Sequence, residues 1–267
     1  MRYRMVQALV TVAALAGAVA AGPGTLPPAL GQPAAPGMHV ASVVLAHGVK
    51  QGNMFGEGDL TPIDPGTSFV TTDVPQAFVK VTAAPGDTPL TMRLVGPAGV
   101  GYGVDVRTPK RRDGKPWQSF QFVAPLYILG TDLESATGTW HFQVLTNNQV
   151  QNDTLFQWQP AQASALLDIK HAVDAAPLQA DLHWRYGAAF ALFNQTEPAI
   201  RELNNAIRLD PKYALYHITL GRVYAREGNK SAAINEFQAA LGIHGSFYDP
   251  VFQSWAQENL NRLKAAQ

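Results

Sequence analysis

Two stretches of this chain, 34 residues apart, carry the same pattern of residue sizes, and that recurrence limits the fold more than any other feature. His183, Tyr186, Gly187 and Phe190 fall at i, i+3, i+4 and i+7, and His217, Leu220, Gly221 and Tyr224 repeat them. This spacing puts four side chains on one face of a helix. A second set recurs at the same interval, Ala199, Leu203 and Ala206 against Ala233, Phe237 and Ala240. Each unit therefore reads as a pair of helices, over about 180–213 and 214–247. An interior glycine costs about 1 kcal/mol relative to alanine, so Gly187 and Gly221 need a reason. Two helices crossing too closely to admit a side chain would supply it.

The small residue after a larger one in the first helix, with small, large, small in the second, resembles the tetratricopeptide repeat (TPR). Pro211 stands at the repeat's terminal proline, Gly245 replaces it in the next unit, and both units carry histidine where the family prefers tryptophan. Ala165, Ile169, Ala172 and Pro177 lie 34 residues before Ala199, Leu203, Ala206 and Pro211, so 164–175 is expected as a lone second helix. Residues 250–266, with Phe252, Trp255, Leu260 and Leu263, are expected as a terminal capping helix. The resemblance implies a stack of six helices over 162–267 that binds a peptide segment or a partner protein in the groove lined by the first helices. Carried over by position, Trp184 and Ile218 supply apolar contact in that groove, and Arg222 and Arg226 supply cationic donors. The lysine and asparagine set with which such repeats clamp a C-terminal carboxylate is absent, since Trp184, Ala188 and Thr219 hold those positions.

Upstream the period is two. Leu90, Met92 and Leu94 alternate with polar neighbours, as do Trp140, Phe142 and Val144, and Phe156 and Trp158 continue the habit. Such alternation marks half-buried strands. About seven strands over 39–159, separated by glycine and proline turns, predict an antiparallel β-sandwich. Gly138-Thr-Trp140, an Asn147-Asn148 turn and the aromatic strand ending at Trp158 resemble the closing hairpin of exported bacterial Ig-like domains. The fold class expected is therefore multidomain: an Ig-like antiparallel sandwich followed by a TPR stack. The period changes between 158 and 164, and Pro160 interrupts any continuous element there, so the two halves are expected to fold independently.

The first residues read as a targeting segment. Arg2 and Arg4 precede an apolar run, and Ala18-Val19-Ala20 is a small-x-small cleavage signal, which predicts a signal peptide over 1–20. Residues 21–38, rich in proline and glycine, are expected as a flexible tether. Export places the chain in the bacterial periplasm or outside the cell, with no integral membrane span after cleavage.

Twenty basic residues balance twenty acidic ones, so no cationic field points to nucleic acid. The chain has no cysteine, which excludes disulfides, thiolate metal sites and a cysteine nucleophile. No zinc motif, phosphate loop or nucleophile elbow occurs, so no catalytic residue, no metal and no cofactor is expected. His183 and His217 are expected to pack between helices. The charge run 110–115 is expected at a solvated hairpin tip, where Asp113-Gly114 favours a tight turn. The function these features predict is a non-enzymatic scaffold binding a protein or peptide in the helical groove. The alternative is a glycan- or surface-binding module in which the sandwich recognises the ligand and the repeats mediate assembly.

Overall fold

The computed structural model describes residues 38–51, 60–246 and 248–265. The expected signal peptide (1–20), and the expected tether apart from Met38, lie outside the described residues. Met38 itself is buried in the β core.

Among the described residues, nine strands precede six α-helices. The strands are β1 (His39–Gln51), β2 (Leu60–Pro65), β3 (Ser68–Val70), β4 (Gln76–Ala84), β5 (Pro89–Val95), β6 (Gly101–Arg107), β7 (Trp117–Pro125), β8 (Gly138–Thr146) and β9 (Gln149–Gln159). One sheet has the order β2-β1-β4-β7 and the other β3-β9-β8-β5-β6. The alternating residues of β5, β8 and β9 turn inward: Leu90, Met92, Leu94, Trp140, Phe142, Val144, Phe156 and Trp158 are at most 4% exposed. Facing sheets bury their inward side chains in one layer, and β4 contributes Ala77, Val79 and Val81 to it. Between β8 and β9, Asn147 and Asn148 both take positive φ, at 49° and 65°. That is the twisted two-residue turn that asparagine tolerates.

The helices are α1 (Ala165–Ala175), α2 (Ala180–Leu192), α3 (Thr196–Leu209), α4 (Ala214–Arg226), α5 (Lys230–Leu241) and α6 (Asp249–Ala265). The close crossing inferred from Gly221 is present. A β-carbon there would lie 2.8 Å from the ring of Phe237 on α5, and one at Gly187 would lie 2.7 Å from Leu203 on α3. Ala199, Leu203, Ala206, Ala233, Phe237 and Ala240 are all 0% exposed. The small residues admit the neighbouring helix and the large ones fill the space between, which is how α-helices reach native packing density.

The fold class differs from the expectation in three respects. Among the described residues there are nine strands in place of about seven, and the five-stranded sheet is not antiparallel throughout. In it β3 runs parallel to β9, with Ser68 opposite Gln157 and Val70 opposite Gln159. Nor are the halves separate domains: one continuous apolar core runs from Leu90 and Trp140 of the sheets to Trp184, Phe237 and Phe252 of the helices. The multidomain, all-antiparallel fold class is therefore corrected to an N-terminal β region and a C-terminal helical region that share one core. The run 110–115 also departs from expectation, because it connects β6 to β7, which belong to different sheets. Two of its cations are paired, with Lys110 Nζ 3.3 Å from Asp87 and Arg111 donating to Asp113 at 3.0 Å.

Candidate functional site

Between β7 and β8 the chain carries four consecutive apolar residues, Leu126, Tyr127, Ile128 and Leu129, followed by Gly130, Thr131, Asp132, Leu133 and Glu134. Four apolar residues in a row cannot serve a strand with one wet face. They are buried on all sides, and Ile128 and Leu129 are 0% exposed. The segment is held compact by its own turns. Thr131 Oγ1 donates to Ile128 O at 2.6 Å, and Gly130 N–H donates to the Glu134 carboxylate at 3.0 Å. The indole N–H of Trp158 donates to Glu134 O, and that of Trp140 to Ala136 O, at 3.3 and 2.7 Å. The β half thus presents this loop as a fixed plug.

The plug fills the face of the helical stack on which the ligand groove was expected. Tyr127 Oη lies 2.5 Å from Tyr213 Oη, and its ring meets Trp184, Tyr248 and Phe252 at 5.8, 5.0 and 5.9 Å between centroids. Tyr248 Oη donates to Pro125 O at the entrance of the loop. Gly130 comes close enough to α4 that a β-carbon on it, at φ +75°, would sit 2.9 Å from Thr219 Oγ1 and 3.3 Å from the Trp184 ring. Thr219 Oγ1 accepts from the Trp184 indole at 2.9 Å and shares its one proton between Leu215 O at 2.9 Å and Gly130 O at 3.2 Å.

The acidic end of the plug meets three arginines. Arg222 donates to Asp132 at 2.9 Å and to Glu134 at 3.4 Å, and Arg262 donates to Asp132 at 2.6 Å. Arg226 stands 3.6 Å from Glu134 and donates to Ala191 O at 2.7 Å. Burial works to raise the Asp132 carboxyl, but the charge of Arg222 and the bond from Arg262 outweigh it and hold it below the usual carboxylate range. Beside Arg226, a cleft of about 70 Å³ is lined by Ala191, Asn194, Thr196, Val223 and Glu227.

The four residues expected to line a ligand groove are therefore placed as follows. Trp184 is 2% exposed and meets the plug, Tyr216 and the Thr219 hydroxyl, not solvent. Ile218 is 0% exposed and belongs to the core, so it offers no groove contact. Arg222 and Arg226 do reach the groove, and both are committed to carboxylates of the plug. The chain itself supplies carboxylate partners to both arginines. Thr219, Tyr213 and Arg262 belong to the same site and were not expected. The signal for the plug lay in the unbroken apolar run 126–129 followed by two acids.

The paired histidines also have partners that spacing alone did not reveal. His183 Nδ1 lies 2.9 Å from Glu202, and His217 Nδ1 lies 2.8 Å from Glu236, each joining the first helix of a unit to its second. The bonds from His183, Asn205 and Arg201 outweigh the opposing effect of burial and keep the Glu202 carboxyl low. Among the described residues no three histidine or acidic side chains are grouped to hold a metal ion, and no helix is long and apolar enough to cross a membrane.

No protein-family model and no curated protein matches the chain. Solved structures that it is similar to include MamA (41 to the end) from Desulfovibrio magneticus RS-1, 29% identical over 30% of this chain and 45% of that one, TM-score 0.29. The P58(IPK) TPR domain is 20% identical over 39% of this chain and 28% of that one, TM-score 0.34. The TPR2B domain of yeast Sti1, in its complex with pHsp70, is 18% identical over 39% of this chain and 82% of that one, TM-score 0.34. The chain spans less than half the length of the first two.

Proposed function

We propose that this chain is a non-enzymatic scaffold of the bacterial cell envelope that binds a protein partner through the groove of its helical stack. The observation that carries this reading is the plug itself. The groove holds a turn-rich segment through a backbone carbonyl on Thr219, a tyrosine ring among aromatic side chains, and two carboxylates on Arg222, Arg226 and Arg262. Carbonyl, ring and carboxylate together are the features of a folded protein segment, and planar guanidinium groups suit carboxylates in particular. Trp184 supports the ring contact, and Ile218 is buried in the same core. The cleavage signal at Ala18-Val19-Ala20 and the proline-rich stretch after it are the reason for the envelope.

A photo-crosslinking residue at Arg226 or Arg262, which are 42% and 54% exposed, tests the reading in intact envelopes. The expected result is a discrete adduct between this site and another polypeptide chain. Adducts that form only from positions on the β half would transfer the binding role to the sheets.

A further inference from the structure

Each sheet has two outer strands, and three of the four are guarded. β2 contains Pro62 and Pro65, β3 is three residues long, and β6 carries Asp105 and Arg107 and has Trp255 of α6 against its Tyr102. Proline, brevity, charge and a covering helix are the means by which proteins keep an outer strand from pairing with another chain. β7 has none of them. Its nine residues, Trp-Gln-Ser-Phe-Gln-Phe-Val-Ala-Pro, hold no charge and no proline before the last position. They keep one register with β4, from Pro125 opposite Gln76 to Ser119 opposite Thr82. Among the described residues nothing pairs with the other side of β7, so every second residue directs its N–H and C=O outward from the sheet. Its side chains are also left incompletely covered. Phe120 and Phe122 stand opposite Val81 and Val79, which are 0% exposed, yet both rings are only half-buried. The two rings stack at 6.1 Å, and Trp117 lies 5.5 Å from Phe120. The basic run is fixed at the start of this strand. The Arg111 guanidinium lies 5.1 Å over the Trp117 ring, whose indole donates to Pro109 O at 2.6 Å. Arg112 and Lys115 are exposed, and among the described residues no carboxylate pairs with either.

We propose that β7 is a second binding site, separate from the helical groove, which takes an extended segment of another protein as a further antiparallel strand. Backbone pairing along the open side of β7 supplies the affinity, and alternate side chains supply the selection. Side chains of the added strand that turn inward cover Phe120 and Phe122, so they are apolar. An antiparallel segment brings its C-terminal end beside Trp117, where Arg112 and Lys115 stand ready for carboxylates. The segment this edge fits is therefore uncharged and alternately apolar along its length, with acidic residues at its C-terminal end. Opposite charge at that end fixes both direction and register.

The probe is a fluorescent peptide of about seven residues, within the usual length of a strand, alternating valine and threonine and ending in two glutamates. Two companion peptides are N-methylated, one at its valines and the other at its threonines. In a paired strand only one of these sets turns its N–H toward β7. Fluorescence anisotropy is expected to show one companion binding as the parent peptide does and the other at least tenfold more weakly. A peptide ending in two lysines is expected to bind at least tenfold more weakly than the parent, and the double variant Arg112→Glu, Lys115→Glu to reverse that order. A photo-crosslinking residue at the exposed Gln118 is expected to capture the parent peptide, and one at Arg226 is not. Equal affinities of the two N-methylated peptides, or no binding of the parent peptide at about 1 mM, overturn the proposal. Capture at Arg226 in place of Gln118 also overturns it and assigns the peptide to the helical groove. Protection of β7 amides from hydrogen exchange in the protein alone, rising with its concentration, would give the edge to a second copy and overturn it as well. Capture at Gln118 supports the proposal and leaves the groove to be judged by its own crosslinks.

Discussion

Arg222 on α4 and Asp132 on the plug are 90 residues apart in sequence and 2.9 Å apart in space, and with Glu134 they bind the helical stack to the sheets. The Arg222 and Glu134 side chains are 13% and 11% exposed, so this pair is mostly buried, while Asp132 is 39% exposed. Breaking a buried pair by removing one partner costs about 3–5 kcal/mol, because the other charge is left uncompensated. Arg222→Glu is therefore expected to lower stability by about 3 kcal/mol, measured by denaturant unfolding. Loss of under about 0.5 kcal/mol, the size usual for an exposed charge change, would show that the network contributes nothing.

Acid should weaken the same contact. The folded protein holds the Asp132 carboxyl below its ordinary range, so the unfolded chain binds the proton first as pH falls. Its contribution is complete above the unfolded value, about 3.9, and is lost as pH drops through the lower folded value. Asp132→Asn should be less stable than the parent at pH 6, and the difference should shrink steadily below pH 4. An undiminished difference at pH 2 would assign the effect to packing.

Alkali acts on the aromatic contact. Burial is the main cause that raises the hydroxyls of Tyr102, Tyr127, Tyr213, Tyr216 and Tyr248 above the usual tyrosine range. Stability due to these groups is present below their unfolded value, about 10, and is lost as pH rises through the folded values. Absorbance at 295 nm should show these five staying protonated at pH 11 and ionising together only as the protein unfolds. Smooth titration of all the tyrosines near pH 10, with the fold retained, would contradict the burial.

Gly221→Leu sets local preference against packing. Leucine is the better helix former by several tenths of a kcal/mol up to about 1 kcal/mol, yet a β-carbon at this position already comes within 2.8 Å of Phe237. Overpacking typically costs about 1–3 kcal/mol, so the variant should melt below the parent. Equal melting temperatures would mean that α5 moves aside freely.

Much of the helical half was legible because its contacts are local and repeat. Gly187, Gly221, Leu203 and Phe237 stand at fixed intervals, and a close crossing explains each. The β alternation was legible for the same reason, since Trp140 and Phe142 report their own faces. What did not show was everything that joins distant parts. The β3–β9 pairing brings Ser68 to Gln157, and no periodicity announces a parallel partner so far along the chain. The partners of Arg222 and Arg226 lay in a loop between strands, and the repeat positions marked both arginines as groove residues without naming what fills the groove. Glu202 and Glu236 were within reach: they recur at the 34-residue interval with His183 and His217, and reading the acids by that interval would have found both pairs.

The position of the plug ahead of the helices in the chain governs the order in which the molecule assembles. Synthesis delivers the N-terminal part first, so strands β1–β9 and the loop they carry are complete before α2 and α4 emerge. Helix pairs form quickly from neighbouring residues, while contacts spanning many residues are the slow ones. Here the slow partner is already waiting. When the helices emerge, the residues that Trp184 and Thr219 contact have already been synthesised.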